Sequence, residues 1–105
     1  MADPVWLLTM FDLPVKTKDQ RRRATQYREL LLDRGFDRVQ LSVYAKYFLN
    51  GTAAIRDIGM LKATVPAGGA VRVLRVTDKQ WASTFRFEGP RQLKTEQPPE
   101  QLTIF

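Results

Sequence analysis

The chain contains no histidine and no cysteine. Without imidazole there is no Ser–His–Asp triad, no histidine acid–base catalysis and no histidine-held metal. Without thiols there are no disulfides, no cysteine nucleophile, no zinc finger and no Fe–S cluster. Apolar runs fall well short of the ~20 residues that a membrane span requires. Residues 1–6 (Met-Ala-Asp-Pro-Val-Trp) hold no basic stretch ahead of an apolar core. The sequence therefore predicts a cytoplasmic protein that does not enter the membrane. The remaining chemistry runs on carboxylates, hydroxyls, Lys/Arg or a hard divalent cation held by oxygen, and phosphate substrates suit that set best.

What is present is a chain of 105 residues, the size of one domain. Seventeen Lys+Arg against 11 Asp+Glu give a net charge of +6, which points to a polyanionic partner. Residues 5–11 (Val-Trp-Leu-Leu-Thr-Met-Phe) form a short apolar run between prolines and predict a strand. Thr17 with Gln20 makes a capping box, so a helix is expected over 18–34, stopped by Gly35. Its apolar stripe runs through Gln20, Ala24, Tyr27 and Leu31, with Leu30 at the edge.

Residues 36–49 are β-rich and read as one long or bent strand. Asn50-Gly51-Thr52 caps a second helix whose apolar positions are Ala54, Ile58, Leu61 and Val65, ending before Pro66. Residues 70–77 predict another strand, Asp78-Lys79-Gln80 a turn, and the alternation of 83–87 a further strand. Residues 90–105 form a proline- and glutamine-rich tail ending in Leu102-Thr103-Ile104-Phe105, an apolar strand candidate that needs a sheet edge to dock on. The domain is thus 1–89, followed by the tail.

The elements read as β-α-β-β-α-β plus a tail: an α+β, ferredoxin-like chain with a four-stranded antiparallel sheet and an extra C-terminal strand. Two helices cover one face of such a sheet. Yet the first strand puts Val5, Leu7 and Phe11 on one side and Trp6, Leu8 and Met10 on the other, so both faces are apolar. A second copy packed sheet to sheet is the simplest cover for the free face; the alternative is the tail folding back over its own sheet.

Cations crowd the start of the first helix: Lys16, Lys18, Arg21, Arg22 and Arg23. The positive end of the helix dipole disfavours them. Asp19 can pair with Arg22 or Arg23, whereas Lys18, Arg21 and Arg28 have no acid three or four positions away. These cations form either a solvated face or a site for a phosphate backbone. Arg72, Arg75, Lys79 and Arg86 make a second basic set. Asp12, which closes the first strand before Leu13-Pro14, reads either as a turn former or as a metal ligand. The 70–77 strand lacks the exposed aromatics of a base-stacking sheet, and Tyr44 and Tyr47 read better as core or interface residues.

Met10-Phe11-Asp12-Leu13-Pro14, Leu31 to Phe36, Gln40-Leu41-Ser42-Val43-Tyr44, Val71-Arg72-Val73-Leu74, Thr77-Asp78-Lys79-Gln80 and the terminal Gln101 to Phe105 occur in order. Together they resemble the small CRISPR-associated adaptation protein family, Cas-two, most of all the versions that accompany single-effector, Cas-nine type systems. The resemblance implies a ferredoxin-like homodimer whose C-terminal strand, residues 102–105, pairs with the partner's sheet. It further implies a complex with the Cas-one integrase, in which the dimer is a slab for double-stranded prespacer DNA during spacer acquisition. Lys16, Lys18, Arg21, Arg22 and Arg28 are the expected contacts to DNA.

Family members are also described as Mg²⁺-dependent endonucleases acting on RNA or DNA, with one aspartate per protomer at the dimer axis. That aspartate maps to Asp12, the expected metal ligand and catalytic residue, although one acid per chain leaves general-base help missing. The alternative within this resemblance is a stand-alone metal-dependent endoribonuclease or a toxin-like RNA-binding protein. Phe11, Lys46 and Trp81 stand where the family more often has Tyr, Arg and Phe.

Overall fold

The computed structural model describes residues 3–90. Its elements are β1 (Val5–Asp12), α1 (Lys18–Asp33), β2 (Asp37–Gln40), β3 (Val43–Phe48), α2 (Gly51–Ala63), β4 (Ala70–Thr77) and α3 (Asp78–Ala82). The strands form one antiparallel sheet in the order β2-β3-β1-β4. This is a ferredoxin-like α+β fold with a short extra helix at the end of β4.

Each boundary has a local cause. Thr17 Oγ1 accepts the Gln20 amide at 3.0 Å, and Gln20 Oε1 accepts the amides of Thr17 and Lys16 at 3.0 and 2.9 Å. That reciprocal cap starts α1 where the sequence places it. Gly35, at φ 92°, ends it. Its amide donates to Leu32 O and that of Phe36 to Leu31 O, both at 3.0 Å, and Phe36 and Leu31 are both buried in the core. This is the Schellman arrangement with its hydrophobic contact.

The predicted long strand over 36–49 resolves into β2 and β3, separated by a turn at Leu41–Ser42. The turn reverses the chain, so that Asp37 pairs with Ala45 and Arg38 with Tyr44, with an irregularity between Arg38 and Gln40. The fourth strand of the sheet therefore comes from this segment and not from 83–87. The predicted turn at 78–80 is a correction of the same kind. Thr77 and Gln80 repeat the capping box of Thr17 and Gln20, with Thr77 Oγ1 accepting the Gln80 amide at 3.0 Å, and they start α3. Residues 84–90 carry no regular structure among the described residues. Their alternation is that of a strand, but they have no ladder partner there.

The central strand β1 decides the layering. Val5, Leu7, Thr9 and Phe11 are buried, while Trp6, Leu8 and Met10 are half-buried. The first set meets Tyr27 and Leu31 of α1, Ala54 and Leu61 of α2, and Phe36, Tyr44 and Phe48 in one core. Phe11 stacks on Tyr44 with ring centroids 5.4 Å apart and meets Tyr27 edge-on at 5.6 Å. The opposite face carries Trp6, Leu8, Met10 and, across the ladders, Tyr47 and Leu74. It is apolar and partly open, with Leu74 48% exposed. The geometric premise of the sheet-to-sheet expectation holds in this chain. Leu102, Thr103, Ile104 and Phe105 lie outside the described residues.

Candidate functional site

Asp12 is the last residue of β1, exposed, in register with Ala70. It lines an open cleft of about 420 Å³ together with Met10, Phe11, Ala70, Val71 and Arg72. The loop that follows is held from two sides. Arg21 Nη1 donates to the carbonyl oxygens of Val15 and Lys16, both at 3.1 Å. The 66–69 loop packs beneath Leu13 and Pro14: a Cβ added to Gly69 would lie 2.7 Å from Leu13 Cδ2 and 3.1 Å from Pro66 O. A side chain at position 69 would push Leu13 aside, so the glycine keeps the two loops in this contact.

Just beyond this loop, Lys16, Lys18, Arg21, Arg22 and Arg23 are all exposed. Among the described residues one acid pairs with them. Asp19 pairs with Arg22, and its Oδ2 lies 3.0 Å from Arg23 Nε. The Arg22 hydrogen bond, helped by the charges of both arginines, lowers the Asp19 carboxyl below its ordinary value, so it stays ionised. The sequence anticipated these pairings. It did not anticipate what holds the other cations. Arg21 clamps the loop, and Arg28 is half-buried with its guanidinium 5.9 Å from the Phe11 ring centroid. Neither makes an ion pair among the described residues, so both keep their charge unneutralised there. Lys18 stays exposed.

The second basic set does not gather. Arg72 and Arg75 are an odd number of residues apart on β4 and project to opposite faces. Arg75 reaches the start of α2, with Nη1 3.9 Å from where a Gly51 Cβ would be. Arg86 pairs with Glu88. Tyr44 is core, and Tyr47 packs edge-on against Trp6 at 5.4 Å.

Two polar contacts escaped the sequence reading. Lys46, on the helix-facing side of β3, donates at 2.7 Å both to Asp57 Oδ2 of α2 and to Arg34 O. Asp57 sits on the buried stripe of α2, and a carboxylate there is the one available signal of a partner. On the other face, Trp6 Nε1 donates to Asp78 Oδ1 at 2.8 Å.

A hard divalent cation takes oxygen ligands, usually one or two carboxylates with water and substrate phosphates. Asp12 has the right chemistry and is open to solvent. No group of three or more His, Cys, Asp or Glu gathers among the described residues, and Arg72 lines the same cleft. Among the described residues a single chain thus offers such an ion one carboxylate at this cleft. The same described residues contain no helix long and apolar enough to cross a membrane.

A model of the family described as CRISPR associated protein Cas2 matches residues 5–84. A protein named CRISPR-associated endoribonuclease Cas2 from Paracidovorax avenae is 36% identical over 101 residues, covering 96% of this chain and 94% of the relative. One of the same name from Acidovorax ebreus is 50% identical over 78 residues, 73% of this chain and 76% of its own. The crystal structure of Streptococcus pyogenes Cas2 superposes with a TM-score of 0.61 over 80% of this chain and 99% of that one, at 21% identity, a likeness of fold. With the family match spanning the whole sheet and both covering helices, the chain belongs to the CRISPR-associated Cas2 family.

Proposed function

We propose that this protein is a homodimeric scaffold of CRISPR adaptation, binding double-stranded prespacer DNA without sequence preference in complex with the Cas-one integrase. The observation that carries this reading is the exposed run Lys16, Lys18, Arg21, Arg22 and Arg23, paired among the described residues by Asp19 alone. Phosphate contacts position a duplex and read no bases, which suits the capture of arbitrary sequence. The half-open apolar sheet face supports a second copy as its cover, with residues 102–105 adding to the partner's sheet. Met10 to Pro14 and the terminal Gln101 to Phe105 favour an association with single-effector, Cas-nine type systems.

A second reading, a metal-dependent endoribonuclease, is favoured by the position of Asp12 on an open cleft and by the names of the relatives. In a dimer whose two-fold axis runs near the end of β1, Asp12 from each copy would hold Mg²⁺. Bound there, the ion would polarise a phosphate and acidify a bound water.

Asp12→Ala separates the readings. The scaffold reading predicts spacer acquisition at the wild-type rate. If acquisition and Mg²⁺-dependent cleavage of RNA are lost together while duplex binding is retained, the nuclease reading replaces it.

A further inference from the structure

The face opposite the helices holds one built feature beyond the DNA-facing loop. Trp81 of α3 stacks on Trp6 of β1, with ring centroids 5.1 Å apart and planes at 28°. Trp6 Nε1 donates to Asp78 Oδ1 at 2.8 Å, and the Asp78 amide donates to Pro4 O at 3.3 Å. The far end of α3 is closed as well: Ser83 N reaches Lys79 O and Gln80 O, both at 3.2 Å, and Thr84 N reaches Trp81 O at 3.1 Å. A five-residue helix has little stability of its own. This one is fastened to the central strand by an indole stack and an indole hydrogen bond.

The fastening sets where the chain goes next. After α3 it faces Arg38, Val39 and Gln40 of β2 across a cleft of about 900 Å³. Phe85 to Glu88 then make no backbone hydrogen bond with the described residues. Phe85 and Phe87, two positions apart and so on one side of an extended segment, are 84% and 87% exposed. Meanwhile β4, eight residues long, is an edge strand with one side unpaired among the described residues. An unpaired strand with an apolar side and an unpaired edge beside an apolar face are complementary. One chain keeps them apart; a second copy brings them together.

We infer that Trp81, stacked on Trp6 and seconded by Asp78, is a positioning residue that aims Thr84–Glu88 as a strand at a second copy of this chain. The inference rests on the homodimer reading and adds what sets its geometry. Trp81 contributes through orientation: with the stack gone, the segment samples many directions, and pairing must first restore the right one.

Sedimentation equilibrium on the full chain tests this, with far-UV circular dichroism as the control for folding. Trp81→Ala raises the dimer dissociation constant by roughly tenfold or more, since both copies lose a stack. Trp81→Phe, which keeps an aromatic stack, stays near wild type. Asp78→Ala shifts the constant in the same direction by less, and serves where Trp81→Ala fails to fold. Hydrogen exchange at residues 85–88 is slowed in the wild-type dimer and fast in Trp81→Ala at equal protein concentration. A folded Trp81→Ala or Asp78→Ala with wild-type dimer affinity overturns the anchor while leaving the homodimer intact. Equal weakening by Trp81→Phe overturns the stack as its cause. A wild-type chain that stays single at every concentration overturns the homodimer reading itself.

Discussion

Lys46 and Asp57 form an ion pair across the helix–sheet interface, Nζ to Oδ2 at 2.7 Å, with the ammonium also 4.8 Å from the Phe48 ring centroid. The Asp57 side chain is 8% exposed and that of Lys46 25%. Removing one partner strands the other charge in a largely dry site. Asp57→Ala is therefore expected to cost about 3 kcal/mol, whereas the double replacement Lys46→Met with Asp57→Leu costs far less than the sum of the singles. Urea unfolding of the three variants measures both, and additive losses would show that the two groups act independently.

The Thr9 hydroxyl, on the helix side of β1, is buried without a hydrogen-bond partner among the described residues. Thr9→Val exchanges that unpaired group for a methyl of similar shape. Stability should hold or rise by up to ~1 kcal/mol, because an unsatisfied buried hydroxyl carries a desolvation cost. A loss of that size in chemical denaturation would mean that the hydroxyl has a partner after all.

Burial pushes the Tyr27 phenol up from 10.0 to about 12. Its hydroxyl donates to Leu61 O at 3.2 Å. The folded state holds this proton where the unfolded chain has released it. The resulting stabilisation is whole below pH 10 and is lost as pH climbs toward 12. Tyr27→Phe should lower stability at neutral pH by about 1 kcal/mol and flatten the decline between pH 10 and 11.5. Thermal melts across that range read the difference in slope.

At the cation-rich start of α1, Asp19 neutralises part of the charge of Arg22 and Arg23. Asp19→Asn should tighten duplex binding several-fold at low salt and steepen its salt dependence. Replacing Lys16, Lys18 and Arg22 by Ala should weaken binding alike for unrelated sequences. The slope of log K against log salt should flatten by roughly 0.9 for each phosphate contact removed. Fluorescence anisotropy over a salt series decides this, and an unchanged slope would assign those cations to solvent.

Legibility followed the range of the interactions involved. The caps of α1 and α2, the Gly35 stop and the two faces of β1 are written within a few neighbouring residues, and the sequence announces each of them. The division of 36–49 was harder to see. Leu41–Ser42 holds neither glycine nor proline, and the reversal is enforced by β3 lying beside β1. Thr77 and Gln80 carry the same cap spacing as Thr17 and Gln20, a local signal of α3 that the reading of 78–80 as a turn leaves unused. Lys46 with Asp57, eleven positions apart on two elements, and Trp6 with Asp78, 72 apart, exist only once the chain has folded. At the site, the cluster of cations could be read directly. The use of Arg21 as a loop clamp and the resting of Arg28 on Phe11 could not, because both depend on where β1 ends relative to α1.

Trp6 and Trp81 are the two tryptophans of the chain, and they touch. All indole emission from this protein thus originates at a single spot on the uncovered sheet. Whatever settles over that surface should change its colour and intensity, giving an intrinsic optical reporter of assembly that needs no label.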